Sequence, residues 1–365
     1  MKRSINSTEF RIAERWNVIK AFASVSSNGY GFAWYRVIFG TFFLFYGTWY
    51  WGWLAQIPDD LFNPSDLNLI RIFNGFPPKW VLLTADTLIV GLLLCITLGI
   101  KTRLSSLLAF LLILIMNGFA YGLGKIDHQI LTNITFLTLA FSNAGTKMAL
   151  VPDKLIMRRY QDHATAFFAI AIAFGIFSSG FPKAVMWIDF DFTTSGIFRW
   201  YYNGYYTLGR TELLAPFFGK IPLGVTEVFD YVIPLFEASG FFFLLKSRKH
   251  WRLWLWLLCA FHLSNVLFLN IPFTRHIMVY GLFLLPFVFE KYLPRSGKKP
   301  WIIFSFASML AINHLIGRWL FVQGSFLILD QDLLVSLTLW IVMVLSCLPY
   351  IYSVFLRKRK VSLTN

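Results

Sequence analysis

Ten apolar runs, each near the length of a bilayer-crossing helix, recur along the chain with short polar breaks between them. About 20 helical residues span the hydrocarbon core of a membrane. No water is present there to satisfy backbone N–H and C=O groups, so a spanning run must satisfy them internally. The runs lie at about 33–54, 80–100, 104–122, 129–146, 164–187, 228–245, 252–270, 276–290, 301–320 and 333–356. The expected fold class is all-α, a polytopic membrane bundle of about ten transmembrane helices. The fourth and eighth runs are short, which a tilt or locally thinned lipid accommodates.

Composition narrows the partners. Of 365 residues, 57% are hydrophobic and 14% charged, and the mean hydropathy is +0.61; soluble domains carry about 25% charged residues. A net charge of +15 would suit nucleic acid, but the cations sit in short clusters between apolar runs, so nucleic acid is set aside as a partner. Cys95, Cys259 and Cys347 fall inside apolar runs and read as small buried side chains. Residues 1–32 hold Lys2, Arg3, Arg11, Arg15 and Lys20 with no early apolar core, so no cleavable signal peptide is expected. Within them, residues 5–25 suit an amphipathic surface helix contacting lipid through Phe10, Trp16 and Phe22. The expected organisation is a cytoplasmic segment 1–32, a membrane domain 33–290, two further helices in 291–356 and a basic cytoplasmic tail 357–365.

Charge also orients the chain. The N-terminal tail and every second loop thereafter hold 23 Lys and Arg, against 9 on the other side, with Arg36 inside the first run. The positive-inside rule then places both termini in the cytoplasm. A helical bundle with basic inner loops suits a bacterial inner membrane.

The turn between the third and fourth runs, within Tyr121–Asn133, carries Lys125, Asp127 and His128 and faces outward in this orientation. Lys125 is open to two readings: a side chain snorkelling at the membrane surface, or a proton-handling base whose pKa partial burial lowers. Asp127 would hold it protonated, while His128 could relay a proton. Other polar residues fall in the outer halves of the runs, Asp86, Asn117, Gln129, Thr132, Asn133, Asp230, Asn265, Asn313, His314 and Arg318, or near the midplane, Glu237 and His262. Asp230, Pro234 and Glu237 share a helix face, and His262 lies one turn from Asn265. Ionisable groups inside lipid usually face a bundle interior or a wet cavity, so one outward-facing polar cavity is expected. The alternative is scattered interhelical hydrogen bonds. His262 can equally be a core histidine satisfied by Asn265. Glu237 has no cation on its own helix, and His262, His314 or Arg318 are its candidate partners.

The longest non-spanning stretch, 188–227, is too polar to span and too aromatic for a disordered linker. A lid over the outer mouth and an aromatic belt anchoring the bundle are both open readings. His128, His262 and His314 lack the close spacing of a metal site, so no metal is expected. No GxGxxG, P-loop, GxSxG or HExxH motif is present.

Several stretches, taken in order, resemble the HTTM (horizontally transferred transmembrane) family, to which the vitamin K-dependent γ-carboxylases are related. WYRVIFGTFFLFYG is similar to its Arg-x-x-x-Gly opening at Arg36 and Gly40, and LGIKTRLS to its Gly-x-x-x-Arg turn. GKIDHQILTNITFLTLAF resembles the segment with the carboxylase active-site lysine, which implies Lys125 as the base. SSGFPKAVMWIDFDF resembles a Gly-x-x-Lys…Trp stretch at Gly180, Lys183 and Trp187, and IPLFEASGFFFLL the helix after it. CAFHLSNVLFLNI resembles a His-x-x-Asn segment near the active site, implying His262 and Asn265. The likeness covers about residues 30–290.

The resemblance implies a membrane enzyme with an extracytoplasmic site. There a lysine deprotonates a hydroquinone, whose reaction with O2 yields the base that removes a glutamate γ-proton before CO2 adds. This chain departs from the family's pattern in its spacing, His128 following Lys125 by three. It also ends nine residues after the tenth run, without the carboxylases' large extramembrane domain, so Glu carboxylation is poorly supported.

Three functions are expected in order. The first is a quinone- or lipid-linked enzyme with a small hydrophobic ligand, Lys125 and His262 catalytic, and Asn265, His128, Glu237, Asn313 and His314 binding. The second is a small-solute transporter coupled to protons through Glu237 and His262. The third is a non-catalytic scaffold whose protein partner the sequence does not name.

Overall fold

The computed structural model describes residues 7–25, 29–46, 49–66, 68–123, 129–293, 300–320 and 333–355. Among the described residues there are fourteen α-helices and no strand. They are α1 Ser7–Ala23, α2 Tyr30–Phe45, α3 Lys79–Leu98, α4 Thr102–Ala120, α5 Ile130–Ala140, α6 Arg158–Trp187 and α7 Gly196–Tyr202. The remainder are α8 Ala215–Phe218, α9 Leu223–Ala238, α10 Gly240–Lys246, α11 Arg248–Leu269, α12 His276–Tyr292, α13 Pro300–Leu320 and α14 Leu333–Phe355.

Among the described residues, α3, α4, α6, α11 and Leu333–Ser353 of α14 are long and apolar enough to cross a bilayer. The makeup is that of a membrane protein. The sixth expected span is a bent pair, α9 and α10, broken by 46°. The first expected run is helical only to Phe45, and a 3-10 turn at Gly52–Gln56 follows. The fourth gives 11 helical residues and the eighth 17. The lysine turn expected to carry Lys125, Asp127 and His128 lies outside the described residues.

The helices form two compact units, residues 26–164 with 289–331, and residues 1–25, 165–288 and 332–365. In the first, α2 packs on α3, α3 on α4, α4 on α5, and α13 on α2 and α3. Rings of Phe39, Phe43, Trp49 and Phe136 stack at its centre, with centroids 4.8–6.0 Å apart. Fully buried Arg36 organises this unit. Its Nη1 donates to Ile96 O (2.7 Å) and Thr97 O (3.1 Å), its Nε to Ala144 O (3.1 Å), and its Nη2 to Met148 O (2.5 Å) and Lys147 O (3.4 Å). Two of these are carbonyls at the C-terminus of α3, where intrahelical donors run out and only the Gly99 N–H caps Ile96 O (3.2 Å).

Gly99 ends α3 in the left-handed conformation (φ 71°), and a Cβ there would lie 2.6 Å from Arg36 Nη1. Gly40, one turn after Arg36, lies against Thr97. The Arg-x-x-x-Gly and Gly-x-x-x-Arg stretches therefore meet at one joint, for a packing reason. Asp86 and Asn117 are also occupied structurally. Asp86 accepts the N–H groups of Trp51 (2.7 Å) and Gly52 (3.1 Å), and Asn117 Oδ1 accepts the Trp51 indole N–H (3.1 Å).

In the other unit α11 packs on α14, α10 on α11, and α1 on α10 and α11. Arg248 donates to Ala21 O (2.6 Å from Nη2), tying down the end of α1. Arg252 lies with its guanidinium carbon 3.5 Å from the Phe287 ring centroid and donates to Tyr350 Oη (2.6 Å).

Candidate functional site: a capped apolar pocket

The stretch after α6 is an ordered cap. Ser195 begins α7 by accepting from Phe198 N–H, as an N-cap serine does. Asp230 of α9 then binds the same end of α7, accepting from Ser195 Oγ (2.8 Å), Gly196 N (2.7 Å) and Ile197 N (2.8 Å). A carboxylate suits a helix N-terminus, where backbone donors lack partners. A second latch lies at the end of α11. Asn270, in the left-handed conformation (φ 51°), accepts Glu212 N–H (2.7 Å) and donates to Glu212 O (3.0 Å). Inside the cap Ile197, Tyr201, Ala215 and Phe218 form a buried cluster, with Trp187, Phe229, Ile233 and Phe268 packed against it.

Beneath the cap lies a pocket of about 300 Å³, at the lower end of the range for small-molecule sites. The cap supplies Ile197, Phe218 and Ile221; α9 supplies Phe229 and Ile233; α11 supplies Phe261, Phe268 and Leu269. Its polar lining is Ser264 and Asn265. Ser264 Oγ donates to Phe261 O (2.7 Å), whereas the Asn265 amide meets no hydrogen-bond partner among the described residues. That amide is the group left to orient a ligand.

One turn along α9 from Ile233, buried Glu237 receives the Lys183 ammonium on both carboxylate oxygens, at 2.6 and 2.7 Å. Ser179 Oγ accepts the third Lys183 donation (3.2 Å), and the Trp187 ring lies 5.8 Å from Nζ. The pair therefore sits one turn from two residues packed on the cap cluster, Trp187 on α6 and Ile233 on α9. Glu237 is paired with Lys183 rather than with His262; the side chains of His314 and Arg318 lie outside the described residues. The charge count assigns Lys183 to the outer side; α6 runs through Pro182 to Trp187, where the fifth apolar run ends, and holds Lys183 partly exposed beside Glu237.

His262 and Asn265 do not bond to each other. His262 Nε2 pairs with Tyr280 Oη (2.9 Å), and its ring stacks between Tyr280 and Trp340, with centroids at 5.5 and 5.2 Å. Phe273 and His276 close the remaining sides. His262 is a buried histidine whose Nε2 has tyrosine, not asparagine, as its partner, while its Nδ1 makes no hydrogen bond among the described residues.

The other expected site residues lie elsewhere. Asn313 is buried on α13 in the unit built around Arg36. Lys125 and His128 lie outside the described residues, as does the His314 side chain. Thr132 and Asn133 are buried in the Arg36 unit, where both amide atoms of Asn133 lack a hydrogen-bond partner among the described residues.

A shallow depression adjoins the pocket, sharing Leu269 with it and lined by Trp200, Tyr201, Gly204, Tyr205 and Arg210. A π-helical turn at Asn203–Thr207 shapes it, and Gly209 (φ 65°) turns the chain back so that Arg210 Cδ rests 3.4 Å from where a Cβ on Gly204 would lie. Half-buried Arg210 makes no side-chain hydrogen bond or ion pair among the described residues, and burial lowers its pKa from the ordinary arginine value. Burial likewise raises the Tyr201 phenol, whose Oη donates to Ala215 O (2.8 Å). Compared with known proteins, the chain matches no family model, no curated protein and no solved structure.

Proposed function

We propose that the chain is an HTTM-type membrane protein that binds a lipid- or quinone-sized molecule in the capped pocket and exchanges a proton with it at the Lys183–Glu237 pair. In this reading it spans the membrane ten times with both termini in the cytoplasm, as the cation bias favours. The host is a bacterial inner membrane, and the cap faces outward. The supporting observation is an apolar pocket whose one amide makes no side-chain hydrogen bond among the described residues, with an ion pair one helical turn along α9 from the pocket-wall residue Ile233.

The chemistry follows from the charges. Glu237 takes a hydroxyl proton from the ligand. The Lys183 ammonium then balances the oxyanion left behind, an electrostatic contribution that is strong where water is excluded. Asn265 orients the ligand oxygen. A hydroquinone, the cofactor class that the family resemblance implies, has the hydroxyl this step needs. Lys125 keeps its role only through that resemblance. A naphthohydroquinone titrated into the purified protein tests the reading, because its ionised form absorbs at longer wavelength. The wild type is expected to bind it and ionise it at neutral pH, Glu237→Gln to bind without ionising it, and Asn265→Leu to bind weakly. No binding by the wild type, or equal ionisation by Glu237→Gln, overturns it.

One observation favours a second reading, a proton-coupled transporter: the break between α9 and α10 beside Glu237, since transport sites are often built on discontinuous helices. Proteoliposome uptake that responds to a pH gradient and is lost in Glu237→Gln would select it.

A further inference from the structure

We propose that the pocket and the depression beside it form one amphipathic site for an anionic amphiphile, its hydrocarbon chain between α9 and α11 and its acidic head on Arg210. This rests on the pocket reading above and adds the ligand's charge. Leu269 lines both hollows, which sets the depression with Arg210 at the rim of the pocket. The first is walled by aliphatic and aromatic side chains; the second holds a half-buried guanidinium with no carboxylate in ion-pair range among the described residues. A partly desolvated cation is costly without a counter-charge, and a guanidinium fork matches carboxylate or phosphate oxygens.

The backbone is arranged around that side chain. Arg210 lies across the π-helical turn, its Cδ within van der Waals contact (3.4 Å) of where a Cβ on Gly204 would sit. Single π turns inside helices occur often at functional sites.

The chain's route comes from α9. Val225, Val228, Val232 and Leu235 form an exposed apolar stripe on that helix, and Phe229 and Ile233 of the pocket are half-buried on its flank. At its far end α9 touches α11 through the Phe236, Trp254 and Phe261 rings. Nearer the cap, the pocket separates the two helices. In a bilayer the stripe faces lipid, so a chain passes sideways from the membrane into the pocket and leaves its head at the surface. A fatty-acid carboxylate and a lipid phosphate share the required chemistry.

The test uses the full chain in neutral micelles with oleate, oleyl phosphate and oleyl alcohol as probes, their affinities read by native mass spectrometry. Acid probes are expected to bind about tenfold tighter than the alcohol, the factor for one charge-assisted hydrogen bond. Arg210→Gln is expected to erase that preference while leaving alcohol binding intact, which also shows that the variant is folded. A preference confined to oleyl phosphate supports the site and identifies lipid phosphate; a preference shared by both acids supports it as a general acid-head site. Equal binding of acid and alcohol by the wild type, or an unchanged preference in Arg210→Gln, overturns the head-group site and leaves the pocket standing. Unchanged binding of all three probes in Ile233→Trp, which fills the pocket, overturns both.

Discussion

Gly180 lies against Glu237 where α6 crosses α9: a Cβ at Gly180 would sit 2.7 Å from Glu237 Cβ and 3.1 Å from Pro234 O. The missing side chain lets the two helices approach closely enough for Lys183, one turn on, to grasp Glu237.

Gly180→Ala is therefore expected to force the crossing apart and destabilise by about 1–3 kcal/mol, the usual range for overpacking. Glu237→Gln leaves a partly exposed ammonium without its counter-charge; because Lys183 retains some solvent, about 2 kcal/mol is expected, below the cost of breaking a fully buried pair. The double variant Lys183→Met with Glu237→Leu is expected to recover most of this. Thermal unfolding of the three in one detergent checks the order; a double variant as unstable as Glu237→Gln would contradict it.

Arg36→Lys is expected to lower folded yield strongly, by about 2–4 kcal/mol, because an ammonium cannot serve carbonyls on both the α3 terminus and residues 144–148. Gly40→Ala, which meets Thr97, is expected to act in the same direction. Size-exclusion profiles compared with wild type test both.

Releasing the cap should be visible without a ligand. Asp230→Ala removes the acceptor for three donors at α7 and is expected to speed proteolysis within residues 203–213 while leaving the helices intact by circular dichroism. The cap also has an acid-sensitive turn. Donation from the Thr193 hydroxyl, and then from its N–H, holds the Asp191 carboxyl below the ordinary aspartate value. Its contribution to stability is present above the unfolded-state pKa and is lost as pH falls through the folded-state pKa. Amide exchange at Thr193 is expected to accelerate on acidification, and Thr193→Val to weaken that response.

His262→Gln is expected to lower stability by about 1–3 kcal/mol without changing ligand affinity, since its ring faces Tyr280 and Trp340 rather than the pocket. Asn265→Leu should do the reverse. A ligand affinity that follows His262 and ignores Asn265 would show the pocket assignment to be wrong.

What the sequence made legible was burial and local register. Apolar runs announced α3, α4, α6, α11 and α14 because hydrocarbon thickness imposes a length that composition reveals. The aromatic content of 188–227 announced an ordered segment, and Tyr201 and Phe218 do build its core. Partners distant in the chain were not legible. Asp86 looked like an ionisable group awaiting a cavity, yet its partners are the backbone N–H groups of Trp51 and Gly52, which no side-chain pattern records. Lys183 counted among the outer cations, and nothing in the sequence named Glu237, 54 residues on, as its partner. His262 and Asn265, three residues apart, differ enough in direction for one to enter an aromatic stack and the other the pocket.

Helix α9 carries Asp230, Ile233 and Glu237 at offsets of three and seven residues, so the cap latch, the pocket wall and the charged pair share one helix. Pro234 interrupts that helix's hydrogen-bond ladder between the wall and the pair. Latch and wall therefore lie on one side of the interruption and the charges on the other, so a bend at the proline alters the spacing of wall and charges while leaving that of latch and wall intact.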